Sequence, residues 1–295
     1  MVDGFLVIDK PAGCSSHDIV NRVRRLLGTR KVGHTGTLDP FATGVLPIAV
    51  GEGTKAIPFL DEGEKQYQAT VQLGLATDTL DITGMVLREA ACSSVREAAL
   101  LQAMASLTGD IEQIPPMFSA IKQGGQPLYK LARKGVEVER VARRVTIHHF
   151  ALDVFEPPLA RVTVRCSRGT YIRSLADDLG RLLGSGACLA ELRRTMSGPF
   201  RLEQALTLEQ LELVVAEGRL AQQLLTPLAM LGHLPRVELE AEEARLVCNG
   251  QIPYRCALPE LAEDGCCCLV AAGVLLAVAR KQQGHLVLQR GFVMS

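Results

Sequence analysis

The chain has 295 residues, of which 47% are hydrophobic and 22% charged, with no tryptophan. That composition supports a sizeable core and excludes wholesale disorder. Lys+Arg and Asp+Glu both number 32, so a uniformly basic nucleic-acid binder is excluded and a locally basic one is not.

The segment Phe5 to Ile8 reads as a strand, ended by Lys10-Pro11 and Gly13. Ser15 or Ser16 is placed to cap a helix whose stripe is Ile19, Val20, Val23, Leu26 and Leu27. The stretch RKVGHTGTLDPFATG, Arg30 to Gly44, is polar and rich in glycine, which predicts a loop. Val45 to Val50 is a strand. Tyr67 to Leu73 alternates, with Tyr67, Ala69, Val71 and Leu73 on one side. A polar loop from Thr77 to Gly84 precedes the apolar Met85 to Leu87. Ser94 with Glu97 predicts a capping box for a helix reaching about Leu107.

Pro115-Pro116 breaks the chain, and a helical pattern follows around Leu128, Leu131 and Ala132. Val145 to Phe155 and Ala160 to Cys166 read as strands, and Gly169 precedes a helix from about Tyr171 to Leu183. Ala187 to Leu192 is a further strand. Thr207 with Gln210 caps another helix, and Leu220 to Leu231 is helical or irregular. Strands and helices interleave, so the fold class is mixed α/β. A boundary near Gly232 to Pro235 divides the chain into 1–231 and 232–295. The second part holds a short helix with Ala241, Ala244 and Leu246. Strands follow at Cys267 to Ala271, Val274 to Ala279 and Leu286 to Gln289, with Gly265, Gly273 and Gly284 at hairpin spacing. This pattern predicts a small β-barrel-like module.

The apolar run Leu269 to Ala279 has eleven residues, against the ~20 a bilayer crossing needs. MVDGFLVIDKPAG lacks a basic stretch before its apolar residues and a small-residue cleavage site, so no signal peptide is expected. The nine cysteines are odd in number, without a CxxC pair or framework spacing. Reduced thiols in a cytoplasm are expected, with Cys266 to Cys268 inside a buried strand. Charge is patchy: Lys130 to Arg144 carries six basic and two acidic residues, whereas Arg201 to Ala244 carries three and eight. Basic tracts suit a folded polyanion such as RNA, although ordinary solvated faces would give the same composition.

Asp39 sits in GHTGTLDP among glycines that permit close backbone approach to a ligand. A carboxylate there serves as nucleophile or general base, or merely forms an Asx-turn before Pro40. The loop lacks a phosphate-loop lysine, which disfavours nucleotide hydrolysis. Arg173, in CSRGTYIRSLADDLG, stands in a first helical turn where the dipole opposes a cation. Its expected partner is a carboxylate, either Asp177 or Asp178 of the same helix or Asp39. Tyr67 is a packing residue unless a base must be stacked. No metal-ligand spacing occurs, so no metal is expected.

Several blocks together resemble the bacterial tRNA pseudouridine-55 synthase family. These are LVIDKPAGCSSHDIVNRVRR from Leu6, KVGHTGTLDPFATGVLPIAVG from Lys31, KQYQATVQLGLATDTLDITG from Lys65, IPPMFSAIKQGGQPLYKLARKG from Ile114, VRCSRGTYIRSLADDLG from Val164 and LAELRRTMSGPF from Leu189, in order over about 200 residues. The resemblance implies a pseudouridine synthase catalytic domain, 1–231, with a central mixed or antiparallel sheet flanked by helices and an RNA-clamping insertion at about 120–146. It also implies a small C-terminal β-barrel-like domain of the RNA-binding PUA type, 232–295. The implied reaction is cofactor-free isomerisation of uridine 55, flipped out of the tRNA T-arm.

By the same resemblance, the catalytic carboxylate falls on Asp39 and the tyrosine that stacks on the base and attends its proton on Tyr67. The carboxylate's arginine partner falls on Arg173. His34 aids base flipping, and Leu192, Lys10, Asp81 and Tyr171 belong to the pocket. Lys130, Arg133, Lys134, Arg143 and Arg144 would bind the RNA backbone. The family pattern implies a cytoplasmic monomer whose partner is the tRNA T-arm stem-loop, with no membrane and no obligate protein partner. Two rivals are an RNA-binding module that no longer reacts and a nucleoside hydrolase that admits water.

Overall fold

The computed structural model describes residues 2–61, 63–253 and 260–292. By internal contacts the chain forms two units. One comprises Met1–Asp39, Val45–Asp61 and Pro199–Ser295, and the other Pro40–Gly44 and Glu62–Gly198.

The first unit opens with β1 (Gly4–Lys10) and α1 (Ser16–Leu27). Ser15 caps α1: its side chain accepts from the Asp18 N–H, and the Asp18 side chain returns to the Ser15 N–H. Gly28, left-handed at φ 61°, ends the helix. The stretch expected to be loop contains a short strand, β2 (Val32–His34), because Val32, Gly33 and His34 pair with the end of β3 (Thr43–Val50). A single turn, α2 (Gly53–Ala56), follows.

In the second unit β4 (Glu64–Leu73) alternates as expected, with Tyr67, Ala69, Val71 and Leu73 buried. The hairpin β5 (Leu75–Thr77) and β6 (Val86–Glu89) follows. The helix α3 (Glu97–Ser106) forms, but the expected Ser94–Glu97 box does not. Arg96 is the N-cap and makes no side-chain capping bond, because Cys92 to Val95 close a turn of their own. Beyond β7 (Gly109–Gln113) lie the two-residue strands β8 (Lys122–Gln123) and β9 (Gln126–Pro127) and the short α4 (Leu128–Ala132). Next come β10 (Arg143–Glu156), β11 (Leu159–Ser167), α5 (Ile172–Leu182) and β12 (Ala187–Ser197).

These strands run in the order β12-β4-β11-β10-β7, each pair antiparallel. Thr43 and Gly44 lie parallel to Arg193 and Arg194, so the pairing is mixed. Helix α5 packs on β12, and α3 packs on β10 and α5. The expected central sheet with flanking helices is present.

The first unit resumes with β13 (Phe200–Arg201) and α6 (Leu208–Ala216), whose Thr207–Gln210 capping box forms as the sequence predicts. Then come α7 (Pro227–Met230), β14 (Arg236–Glu238), α8 (Ala241–Cys248), β15 (Cys266–Ala271), β16 (Val274–Gln282) and β17 (His285–Gly291).

Here the expected β-barrel-like module is corrected. The strands make an open sheet, β14-β15-β16-β17, and no pairing joins β17 to β14 among the described residues. The reason lies in what covers its faces. Cys268, Val270, Leu275, Val278 and Phe292 pack in one cluster with Phe5, Val7, Val45, Phe200 and Leu231. Cys267, Leu269, Ala277, Ala279 and Leu286 pack in another with Val237, Leu239 and Val247 of α8. A sheet buried on both faces needs continuous apolar strands, which is why Cys266 to Ala279 is apolar without alternation.

The eight described cysteines are free. Burial pushes the thiols of Cys166, Cys188 and Cys268 up to about 11. Cys256, included in the expectation of reduced thiols, lies outside the described residues.

Two predictions follow from local geometry. At Gly44 φ is +99°, and an added Cβ would meet the Arg194 carbonyl oxygen at 2.2 Å and its nitrogen at 2.9 Å. Gly44→Ala should therefore lower stability by roughly 2 kcal/mol or more, read as a fall of at least ~4 °C in Tm. Burial, followed by the Asp177 charge, raises the Asp178 carboxyl to about 6. The native state thus holds a proton that the unfolded chain releases at lower pH, and stability is lost as pH rises from about 4 through about 6. Asp178→Asn should raise Tm at about pH 7.5, with the gain vanishing near pH 4. Equal gains at both pH values would contradict this assignment.

Candidate active site

The candidate residues are taken unit by unit. In the first unit Asp39 is half-buried in the irregular segment after β2. The preceding residue, Leu38, is buried and held from both sides by one hydroxyl. Its N–H donates to Ser16 Oγ at 2.8 Å, and Ser16 Oγ donates to its carbonyl at 3.0 Å. Thr35 N–H donates to the Pro47 carbonyl at 3.2 Å. The loop is thus tied to α1 and β3. His34 ends β2 opposite Ile48. Lys10 is fully buried, and its ammonium donates to the carbonyls of Pro11 at 2.8 Å and Cys14 at 2.9 Å. It knits the turn that leads into α1.

In the second unit Tyr67 and Leu192 share one buried face. Tyr67 pairs with Arg194 and Leu192 with Ala69, so the two are diagonal neighbours across β4 and β12. Each is 7% exposed.

Arg173, in the first turn of α5, is 3% exposed. Its NH1 donates to the Thr79 carbonyl at 2.9 Å and lies 3.6 Å from Asp81 Oδ2. Its NH2 donates to the Phe118 carbonyl at 2.8 Å. Of the intrahelical carboxylates weighed for it, Asp177 pairs with Arg181 at 2.8 Å.

Asp81 is 4% exposed. Its Oδ1 accepts from Thr83 Oγ1 at 2.5 Å, Thr79 Oγ1 at 2.9 Å and Thr83 N–H at 3.0 Å. Its loop is tied to β12, because Leu189 N–H donates to the Leu80 carbonyl and Ile82 N–H to the Leu189 carbonyl. The three donors satisfy one oxygen of Asp81 while the other faces the guanidinium, and the low-polarity surroundings strengthen the attraction.

Tyr171 is the N-cap of α5. The amide of Gln113, the last residue of β7, clasps its backbone: Tyr171 N–H donates to Oε1 at 2.7 Å, and Nε2 donates to the Tyr171 carbonyl at 3.1 Å. Ser174 Oγ donates to the Ile114 carbonyl at 2.9 Å. Sequence reading passed over Gln113 and Ser174. The available signal was a glutamine two residues before the Pro115-Pro116 break, next to a block already marked.

Lys130, Arg133, Lys134, Arg143 and Arg144 are exposed. The first three lie on or just after α4, where the Arg133 guanidinium stands 5.6 Å from the Tyr129 ring centre. The other two open β10, and Arg144 is paired with Asp110 at 2.5 Å. The Thr146 hydroxyl, followed by that pairing, holds the Asp110 carboxyl below its ordinary value. No metal-holding group of three or more His, Cys, Asp or Glu side chains occurs among the described residues.

Removing one partner of a buried pair strands the other. Asp81→Ala should lower the unfolding free energy by roughly 3 kcal/mol, measured by urea titration. Asp81→Ala with Arg173→Ala should cost less than the sum, with a coupling of at least ~1 kcal/mol. Strict additivity would show that the two side chains do not act as a pair.

Comparison with known proteins adds a separate line. A model of the TruB family pseudouridylate synthase N-terminal domain matches residues 24–172, and one of the tRNA pseudouridylate synthase B C-terminal domain matches 173–231. The chain is 49% identical over 287 residues to tRNA pseudouridine synthase B of Geotalea uraniireducens, covering 95% of this chain and 92% of that protein. It is 50% identical over 279 residues to that of Geobacter sulfurreducens, covering 95% and 90%. A chain in the crystal structure of a Cbf5-Nop10-Gar1 complex matches with a TM-score of 0.74 at 26% identity, over 97% of this chain and 83% of that one. With Asp39, Tyr67, Asp81 and Tyr171 all inside the first matched segment and Arg173 opening the second, the chain belongs to the TruB family of pseudouridylate synthases.

Proposed function

We propose that the chain isomerises uridine 55 in the T-arm of tRNA to pseudouridine. The carrying observation is family membership across the segment that holds GHTGTLDP, at about half identity to proteins named tRNA pseudouridine synthase B. The reaction breaks the bond from C1′ to N1, turns the uracil, and joins C1′ to C5. One proton leaves C5 and N1 gains one, so the change is redox-neutral and its balance calls for no cofactor.

In this reading Asp39 is the reacting carboxylate, attacking the ribose or abstracting a ribose proton. Arg173 keeps that carboxylate ionised and aimed. Asp81 holds the guanidinium through the 3.6 Å approach described above. Tyr67 stacks on the uracil and attends the C5 proton. Leu192 supports the same apolar face and keeps water from the cleaved base. His34 helps the nucleotide leave its stack, and Tyr171 and Lys10 shape the pocket and the turn before α1. Lys130, Arg133, Lys134, Arg143 and Arg144 contact backbone phosphates, Arg144 by exchanging Asp110 for one.

Among the described residues no helix is long and apolar enough to cross a membrane. A cytoplasmic location belongs to the same proposal and is supported by the free state of the described cysteines.

T-arm RNA tritiated at uracil C5 tests the reading. Wild-type protein should release tritium from an intact RNA, and Asp39→Asn should bind the RNA while releasing only background. Binding without release by the wild type would point to a non-catalytic RNA binder, and free uracil to a hydrolase. Full activity in Asp39→Asn would remove Asp39 from the chemistry.

A further inference from the structure

We propose that Gln113 is a positioning residue for the isomerisation, holding the first turn of α5, and through it Arg173, against the chain that leads into the insertion. This rests on the functional reading above and adds a residue to it.

Three attachments meet within the six residues 113–118, which begin at the last residue of β7. Gln113 clasps both backbone polar groups of Tyr171. The next carbonyl, Ile114, accepts from Ser174 Oγ. The Phe118 carbonyl accepts from Arg173 NH2. Gln113, Arg173 and Ser174 are each at most 4% exposed. The chain that leads into the insertion is therefore bonded to residues 171, 173 and 174, the turn that presents the guanidinium.

The chemistry of the clasp is selective. An uncharged amide offers one donor and one acceptor side by side, matching the carbonyl and N–H of a single residue. A buried apolar side chain would fill the same space but remove the acceptor of the Tyr171 N–H and one of the two donors to its carbonyl, leaving that carbonyl the Leu175 N–H at 3.1 Å. The amide thus fixes the orientation of the residue from which α5 starts, beyond what filling the strand end requires. The strand contributes too: Gln113 pairs with Arg143, so the clasp joins both stems of the insertion to the same helical turn. RNA gripped by the insertion's basic residues would pull on the element that aims Arg173.

The test is single-turnover tritium release, with RNA affinity and folding measured on the same samples. Gln113→Leu should slow the chemical step on the order of tenfold or more, because small displacements of a reacting group cost that much. RNA affinity should stay within about threefold, a loss smaller than that expected of a removed phosphate contact. Gln113→Glu gives a second readout. As a carboxylate it accepts from Tyr171 N–H but cannot donate to the Tyr171 carbonyl, whereas the protonated acid does both. Its rate relative to wild type should be low near pH 8 and recover toward pH 6, with circular dichroism showing a folded chain throughout.

A lower Tm with an unchanged single-turnover rate in Gln113→Leu would overturn the proposal. So would a flat relative pH profile in Gln113→Glu, which decides the matter if the leucine variant does not fold. Wild-type protein that releases no tritium would overturn the functional reading and this proposal with it. A reactive wild type beside an equally reactive leucine variant would overturn this proposal alone.

Discussion

A guanidinium kept almost entirely out of water is the constraint on which the second unit depends. Arg173 has no bulk solvent to satisfy it, so its surroundings must bring oxygens to it, and they come from segments far apart in sequence. Thr79 and Asp81 lie in the loop between β5 and β6, and Phe118 beyond β7. Each of those segments is fixed in turn by a strand. The Asp81 loop is bonded to β12, and the segment that holds Phe118 follows β7. Burying a charge is costly without such partners. The sheet order can be read as the arrangement that brings the partners to one helical turn.

The carboxylate of Asp39 is placed by a different economy. Its loop has little regular structure, and its fixed points include the Ser16 hydroxyl and the backbone of β3. Between Asp39 and Pro40 the chain passes from the first unit into the second. The most sequence-distinctive loop of the protein is thus also the point where it changes unit, and the glycines expected to serve a ligand include Gly44, which serves the close pairing with Arg194.

What was legible in the sequence was local. Thr207 with Gln210 and the alternation of Tyr67 to Leu73 follow from bonds and faces within a few residues, and both form as expected. Ser94 with Glu97 has the same spacing but lost to a competing turn. The short β2 was invisible because three residues in a glycine-rich stretch become strand only when the end of β3 lies alongside. The C-terminal strands were visible and their closure was not. Glycines at hairpin spacing indicate turns, but whether a sheet closes depends on what covers its faces, and here residues from Phe5 to Leu231 do so. In the site, motifs located Asp39, Tyr67 and Arg173. The Asp81 hub, known before only as a matched position, acquired physical content from its threonine donors and Arg173.

Among the described residues the open C-terminal sheet ends in two border strands, β14 and β17, of the kind that other chains extend by backbone pairing. β14 is only three residues long and presents Arg236 and Glu238 outward. β17 presents His285, Val287 and Arg290. Short length on one border and basic side chains on the other discourage strand addition. They allow two richly apolar central strands to stand in an unclosed sheet without inviting fibrils or adventitious self-association.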